Sequence, residues 1–120
     1  MSHYPPEAKW HEMAAGGVIP QAGNAVEYQT GGWRNDRPIK DNECCIDCLF
    51  CWVYCPDSAI LIEGKSVKGL GIDLEHCKGC GLCAAVCPVN SKVRRKAGQE
   101  LARDDVRLCI RMIEEGRSEE

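Results

Sequence analysis

The sequence predicts a small α+β domain made of two related halves, preceded by an extended arm and followed by an amphipathic helix. Three observations predict it. The run "CIDCLFCWVYCP" (residues 45–56) recurs as "CKGCGLCAAVCP" (77–88), with the cysteines and the proline at the same offsets. Between the runs, "AILIEG" (59–64) and "LGIDLE" (70–75) flank a turn region bounded by Gly64 and Gly69, the pattern of a short antiparallel pair. Beyond the second run, Ala102, Val106, Cys109, Ile110 and Ile113 fall at helical spacing. The expected parts are therefore an arm over 1–43, a repeat domain over 44–90 and a helical extension over 91–120.

The arm carries Pro5, Pro6, Gly16, Gly17, Pro20, Gly23, Gly31, Gly32 and Pro38, and no apolar period persists along it. Turns without a core of their own are the expectation. Tyr4, Trp10, Val18, Ile19, Tyr28 and Trp33 make it too apolar for a plain tail. These side chains suit either folding back over 44–90 or lying on a partner subunit. Within the first run, "WVYC" before Pro56 suits a short helical turn, as does "DSAI" after it. In the extension, acidic and basic residues fill the positions between the apolar ones. This predicts a helix of about four turns that ends near Gly116, with "RSEE" fraying beyond it.

Ten cysteines in 120 residues, against 6% aromatics, leave two explanations: a disulfide scaffold or a metal protein. The first seventeen residues, "MSHYPPEAKWHEMAAGG", hold two prolines and no apolar run of a secretory signal. No stretch approaches the roughly 20 apolar residues of a membrane span. A cytoplasmic protein with reduced, metal-binding thiols is expected. A net charge of −3 gives no basic footprint for nucleic acid. Neither G-x-G-x-x-G nor a P-loop is present, and His3, His11 and His76 are scattered. Asp104, Asp105, Glu114 and Glu115 suit a solvated helix face. Bond-making chemistry is thus left to other chains.

The doubled pattern C-x2-C-x2-C-x3-C-P resembles the cysteine run of bacterial ferredoxins, whose fourth cysteine ligates the other cluster. The resemblance implies a ferredoxin-like fold with two 4Fe–4S clusters. One would sit on Cys45, Cys48, Cys51 and Cys87, the other on Cys77, Cys80, Cys83 and Cys55. The geometry is reasonable: three thiolates two residues apart wrap one face of a cube on a tight loop. A cysteine three residues on, at a helical turn, points away from that cube, and the following proline turns the chain aside. Zinc prefers paired C-x2-C units with four ligands per ion, which triplets fit poorly. Cys44 would break the symmetry and is left out, and Cys109 reads as a small buried hydrophobe. With clusters bound the chain carries a charge of about −7. The second loop has Lys78, Gly79 and Gly81 where the first has Ile46, Asp47 and Leu49, with Phe50 next. Close backbone approach and the Lys78 charge predict the higher potential at the second cluster.

Ahead of the first run, "TGGWRNDRPIKDNECC" (30–45) resembles the lead-in of the delta, ferredoxin-like subunits of 2-oxoacid:ferredoxin oxidoreductases, such as pyruvate:ferredoxin oxidoreductase. Thr30, Gly31, Trp33, Arg34, Arg37 and Pro38 match a TG-x-W-R-x-x-R-P segment, and Trp52, Cys55, Pro56 and Asp57 match W-x-x-C-P-D. "GIDLEHCKGCGLCAAVCP" (71–88) resembles the family's second block. The resemblance implies an electron-transfer subunit with no catalytic residues of its own. Larger partner subunits would hold thiamine diphosphate, bind the 2-oxoacid and pass the acyl group to coenzyme A. Electrons would leave for ferredoxin or a nucleotide-reducing subunit. After Pro88 this chain departs from the family, whose members add a closing strand and stop. Lys92, Arg94, Arg95 and Lys96 suit either steering of an acidic ferredoxin or a solvated helix start. A stand-alone low-potential ferredoxin, or the cluster subunit of another redox complex, is the alternative reading.

Overall fold

The computed structural model describes residues 4–67 and 71–117. Two five-residue helices, α1 (Phe50–Tyr54) and α2 (Leu82–Val86), occupy matching positions in the two runs and pack against each other. A third helix, α3 (Pro88–Ala97), follows α2 directly. Strands β1 (Asp36–Lys40) and β2 (Ile110–Glu114) form an antiparallel pair, in register from Asp36 opposite Glu114 to Lys40 opposite Ile110. Cys51, Ile60, Val67, Cys83, Ala84, Cys87, Cys109, Ile110 and Met112 make the buried core.

The repeat is legible in the backbone as well as in the cysteines. Gly79 and Gly81 have φ of 68° and 79°, and their counterparts Asp47 and Leu49 have φ of 54° and 64°. Both loops therefore make the same left-handed turns before their helices. At Leu49 this costs on the order of 1–2 kcal/mol that a glycine would not incur. The two loops share these turns, and in the second the Gly79 N–H also donates to Cys77 Sγ at 3.4 Å.

The helical extension also needs correction. Pro88 opens α3 at its first position, Arg94, Arg95 and Lys96 fill its last turn, and Gly98 closes it with φ of 64°. Residues 99–109 are turns, and 110–114 form β2 rather than helix. Val106, needed for a helical stripe, is 76% exposed, whereas Ile110, Met112 and Ile113 are buried. Five apolar residues at helical spacing fit either structure locally. What decides is β1, whose open backbone groups need a partner strand. The chain thus supplies a closing strand after a helical insertion.

The predicted pair between the runs is present as isolated antiparallel bridges, Ile60 with Ile72 and Glu63 with Ser66. The Asp73 N–H donates to the Ala59 carbonyl at 2.7 Å beside them. Gly69 and Leu70 of that prediction lie outside the described residues, as do His3 and the last three residues of "RSEE".

The arm runs through four 3-10 turns, at Trp10–Glu12, Ala15–Gly17, Asn24–Glu27 and Gly31–Trp33. It stretches the molecule to 62 × 31 × 23 Å, with a radius of gyration of 18.3 Å. A compact chain of this length would have a radius of about 14 Å. Trp10 is 85% exposed, and Val18, Ile19 and Val26 are also in solvent. From Val26 onward the arm is fastened to the second half of the repeat. The Gly31 N–H donates to the Glu75 carbonyl at 2.7 Å. Arg34 donates to the Leu74, Gly31 and Cys77 carbonyls and pairs with Glu115 at 2.6 Å.

Candidate metal centres

Two cavities of equal size open beside the paired helices. The first is lined by Cys45, Cys48, Cys51 and Cys87, with Lys40, Val67, Cys109 and Ile110 among its walls. The second is lined by Cys55, Cys77, Cys80 and Cys83, with Pro38, Asp57, Lys78 and Gly79. All eight cysteines singled out from the sequence thus fall into two sets of four. Each set takes three thiols from one run and the trailing thiol from the other.

The local backbone explains this exchange. Cys51 lies in α1 and Cys55 just past its end, four residues on, so about one helical turn carries the chain from one cavity to the other. Cys83 and Cys87 bear the same relation to α2. Each run therefore reaches both cavities.

The donor set suits a multinuclear cluster better than a lone ion. Among the described residues no three His, Cys, Asp or Glu side chains converge on a point that one metal ion would occupy. The thiols instead ring a void. Burial pushes the Cys83 thiol up to about 12, and it raises Cys51 and Cys77 as well. Buried thiolates need a cationic centre to stabilise them, and metal binding releases their protons.

The two remaining cysteines behave differently. Cys44 lines neither cavity, and its Sγ donates to the Asp41 carbonyl at 3.4 Å. Cys109 is buried and walls the first cavity, but its Sγ also donates to the Asp41 carbonyl, at 3.4 Å. Burial, followed by the Cys44 thiol beside it, pushes Cys109 far up, so it remains a protonated thiol.

The lead-in residues acquire structural roles. Thr30 is buried. A Cβ at Gly31 would overlap the Leu74 carbonyl oxygen. Arg34 gathers the carbonyls already named, Arg37 donates to the Arg117 carbonyl at 3.0 Å, and Pro38 walls the second cavity. Trp33 packs edge-on to Tyr28 at 5.8 Å and sits 5.7 Å from the Lys78 ammonium. Asp57 pairs with Lys78 at 2.8 Å. His76, one of the scattered histidines, fastens the arm: when protonated it donates to Asp73 at 2.7 Å and to the Val26 carbonyl at 2.9 Å. The hydrogen bond to Asp73 and that to Val26 raise its pKa.

Sequence reasoning missed Lys40 and Asn90. No motif marks Lys40; only the β1 register beside Ile110 brings it to the first cavity. Asn90 is fully buried between α3 and β2, and a polar residue one position past "PV" carries no signal until β2 is placed.

A profile for the 4Fe–4S dicluster domain matches residues 39–94, a span that contains both sets of four thiols. Two 4Fe–4S clusters are accordingly the cofactors of this chain. It is 60% identical over 79 residues to the pyruvate synthase subunit PorD of Thermotoga maritima, covering 66% of this chain and 78% of that protein. It is 42% identical over 81 residues to the PorD subunit of Methanocaldococcus jannaschii, covering 66% and 92% of the two chains. The delta subunit of an NADH-dependent phenylglyoxylate dehydrogenase from Aromatoleum evansii is 40% identical over 58 residues, covering 48% and 59%. With its lead-in, its two thiol-lined cavities and these relatives, the chain belongs to the PorD family of ferredoxin-like oxidoreductase subunits.

Proposed function

We propose that Cys45, Cys48, Cys51 and Cys87 hold one 4Fe–4S cluster, and Cys77, Cys80, Cys83 and Cys55 the other, in the electron-transfer subunit of a 2-oxoacid oxidoreductase. The observation that carries the ligand sets is the composition of the two cavities, three thiols from one run and one from its twin. The bound clusters supply one-electron redox chemistry. The protein's part is to hold the two sites side by side, bury Cys51, Cys77, Cys83 and Cys87 among their thiols and set the surrounding charge.

The complex is read as a pyruvate-type enzyme, on the strength of the 60% identity to a pyruvate synthase subunit. Its larger subunits hold thiamine diphosphate, bind the 2-oxoacid and use coenzyme A, and electrons leave this chain toward ferredoxin or a nucleotide-reducing subunit. The exposed apolar arm supports a partner-bound state, because Trp10, Val18 and Ile19 cover nothing in the chain itself. Residues 4–25 are read as the partner-facing arm, 26–90 as the cluster domain with its lead-in, and 91–117 as its helical insertion and closing strand. Among the described residues no helix is long and apolar enough to cross a membrane. A cytoplasmic site is proposed, because thiolates that hold clusters need a compartment that keeps thiols reduced.

Anaerobic purification of the tagged chain from its host tests this reading. Co-purification with larger thiamine-diphosphate-binding chains is expected, with about eight irons and eight labile sulfides per chain. Cys87→Ala is expected to remove the cluster of the first loop and spare that of the second. Loss of the second cluster alone would overturn the crossed ligand sets, and a monomer at every concentration would overturn the complex.

A further inference from the structure

The charges around the two cavities are arranged differently from what the cysteine loops suggest. Lys78 walls the second cavity, but so does Asp57, and the two pair at 2.8 Å. The other cation near that cavity, Arg34, is paired with Glu115 at 2.6 Å. At the first cavity the wall cation is Lys40. Its ammonium donates to the Val67 carbonyl, itself part of that wall, and among the described residues no carboxylate pairs with it. Asp47, the acidic residue of the first loop, is absent from the wall. Its Oδ1 accepts from Ser66 Oγ and from the Val67 N–H, both at 3.0 Å.

We infer that Lys40 sets the reduction potential of the first cluster above that of the second; the inference rests on the ligand sets proposed above. Reduction adds one negative charge to a cluster. A cation held at the wall without a carboxylate favours that step, whereas an ion pair offers nearly compensating charges. The loops make the same left-handed turns, and the backbone N–H groups of Gly79 and Ala59 donate to Cys77 Sγ at 3.4 Å and Cys55 Sγ at 3.2 Å, which favours the second site. A full charge without a carboxylate partner outweighs these two weak sulfur bonds, so the charge at the wall decides the order and reverses the one suggested by Lys78 alone. An electron resting on this subunit occupies the cluster beside β1 and β2.

Redox titration of the intact complex followed by EPR tests the assignment, with iron and sulfide counted in the same preparations. Lys40→Met should lower the higher of the two midpoints and leave the lower one in place, while Lys40→Arg should preserve both. Asp57→Asn frees Lys78 and should raise the lower midpoint, which provides a second reading should Lys40→Met fail to assemble. The inference is overturned if Lys40→Met moves the lower midpoint or neither, or if Asp57→Asn moves the higher one. Fewer than about eight irons in the unaltered protein would instead overturn the ligand sets on which it rests.

Discussion

Asn90 and Cys109 are joined across the core: Asn90 Oδ1 accepts the Cys109 N–H at 2.7 Å. The same oxygen accepts the Ile110 N–H at 3.1 Å, and the amide nitrogen donates to the carbonyls of Ala84 at 3.0 Å and Ile110 at 2.6 Å. One fully buried side chain thus ties α2 and α3 to the start of β2, and with it to the wall of the first cavity.

Asn90→Ala should therefore destabilise the domain by about 3 kcal/mol, because each buried group left without a partner costs roughly 1–3 kcal/mol. Anaerobic urea unfolding of the cluster-loaded chain, followed by tryptophan fluorescence, reads the loss. A change below about 0.5 kcal/mol would mean that β2 is held in place by other contacts.

Two glycines of the second loop should respond unequally to substitution. A Cβ at Gly79 would overlap the Asp36 carbonyl oxygen in β1, whereas one at Gly81 meets nothing. Gly81→Ala incurs only the left-handed conformation, about 1 kcal/mol. Gly79→Ala must also push β1 away, so its iron content should fall well below that of Gly81→Ala. Equal iron content in the two would contradict the close approach of β1.

The Arg34–Glu115 pair predicts an acid-sensitive fastening of the lead-in. The hydrogen bond from Arg34 holds the Glu115 carboxyl below its ordinary value of 4.5. A depressed folded-state pKa contributes stability that is fully present above about pH 4.5 and is lost as the pH falls through the folded value. Glu115→Gln should thus be less stable than the parent at pH 7, and the gap should narrow as the pH drops below about 4.5. Unfolding midpoints of the two proteins across that range give the answer; a gap independent of pH would exclude the carboxylate as its source.

Removing iron with a chelator under reducing conditions should unfold the repeat rather than leave an empty shell. Cys51, Cys83 and Cys87 belong to the buried core and at the same time line the two cavities. Without clusters, the domain would keep two thiol-lined hollows and a small apolar core around them. Loss of amide-exchange protection in α1 and α2, with return on re-addition of iron and sulfide, is the expected result. Retained protection would show that the fold stands without its metal.

The sequence by itself determined what depends on spacing along the chain. The two cysteine runs, their prolines and the offset between them define two equivalent loops, because tight turns and short helices are built from neighbouring residues. The lead-in from Thr30 to Pro38 was legible for the same reason. Asp47 and Leu49 hid the conformational identity of the loops, since their residue types do not announce a left-handed turn, yet their offset from Gly79 and Gly81 contained the information. What only the tertiary structure decided were the matters that depend on pairing between distant segments. The stretch containing Ile110 and Ile113 has a helical rhythm, but β1, on the far side of both cysteine runs, draws it into a strand. That pairing brings Asn90 its partners and sets Lys40 against the first cavity. A side chain's charge is local, but whether it is compensated depends on which remote carboxylate the fold brings beside it, as Asp57 is brought to Lys78 and none of the described carboxylates is brought to Lys40.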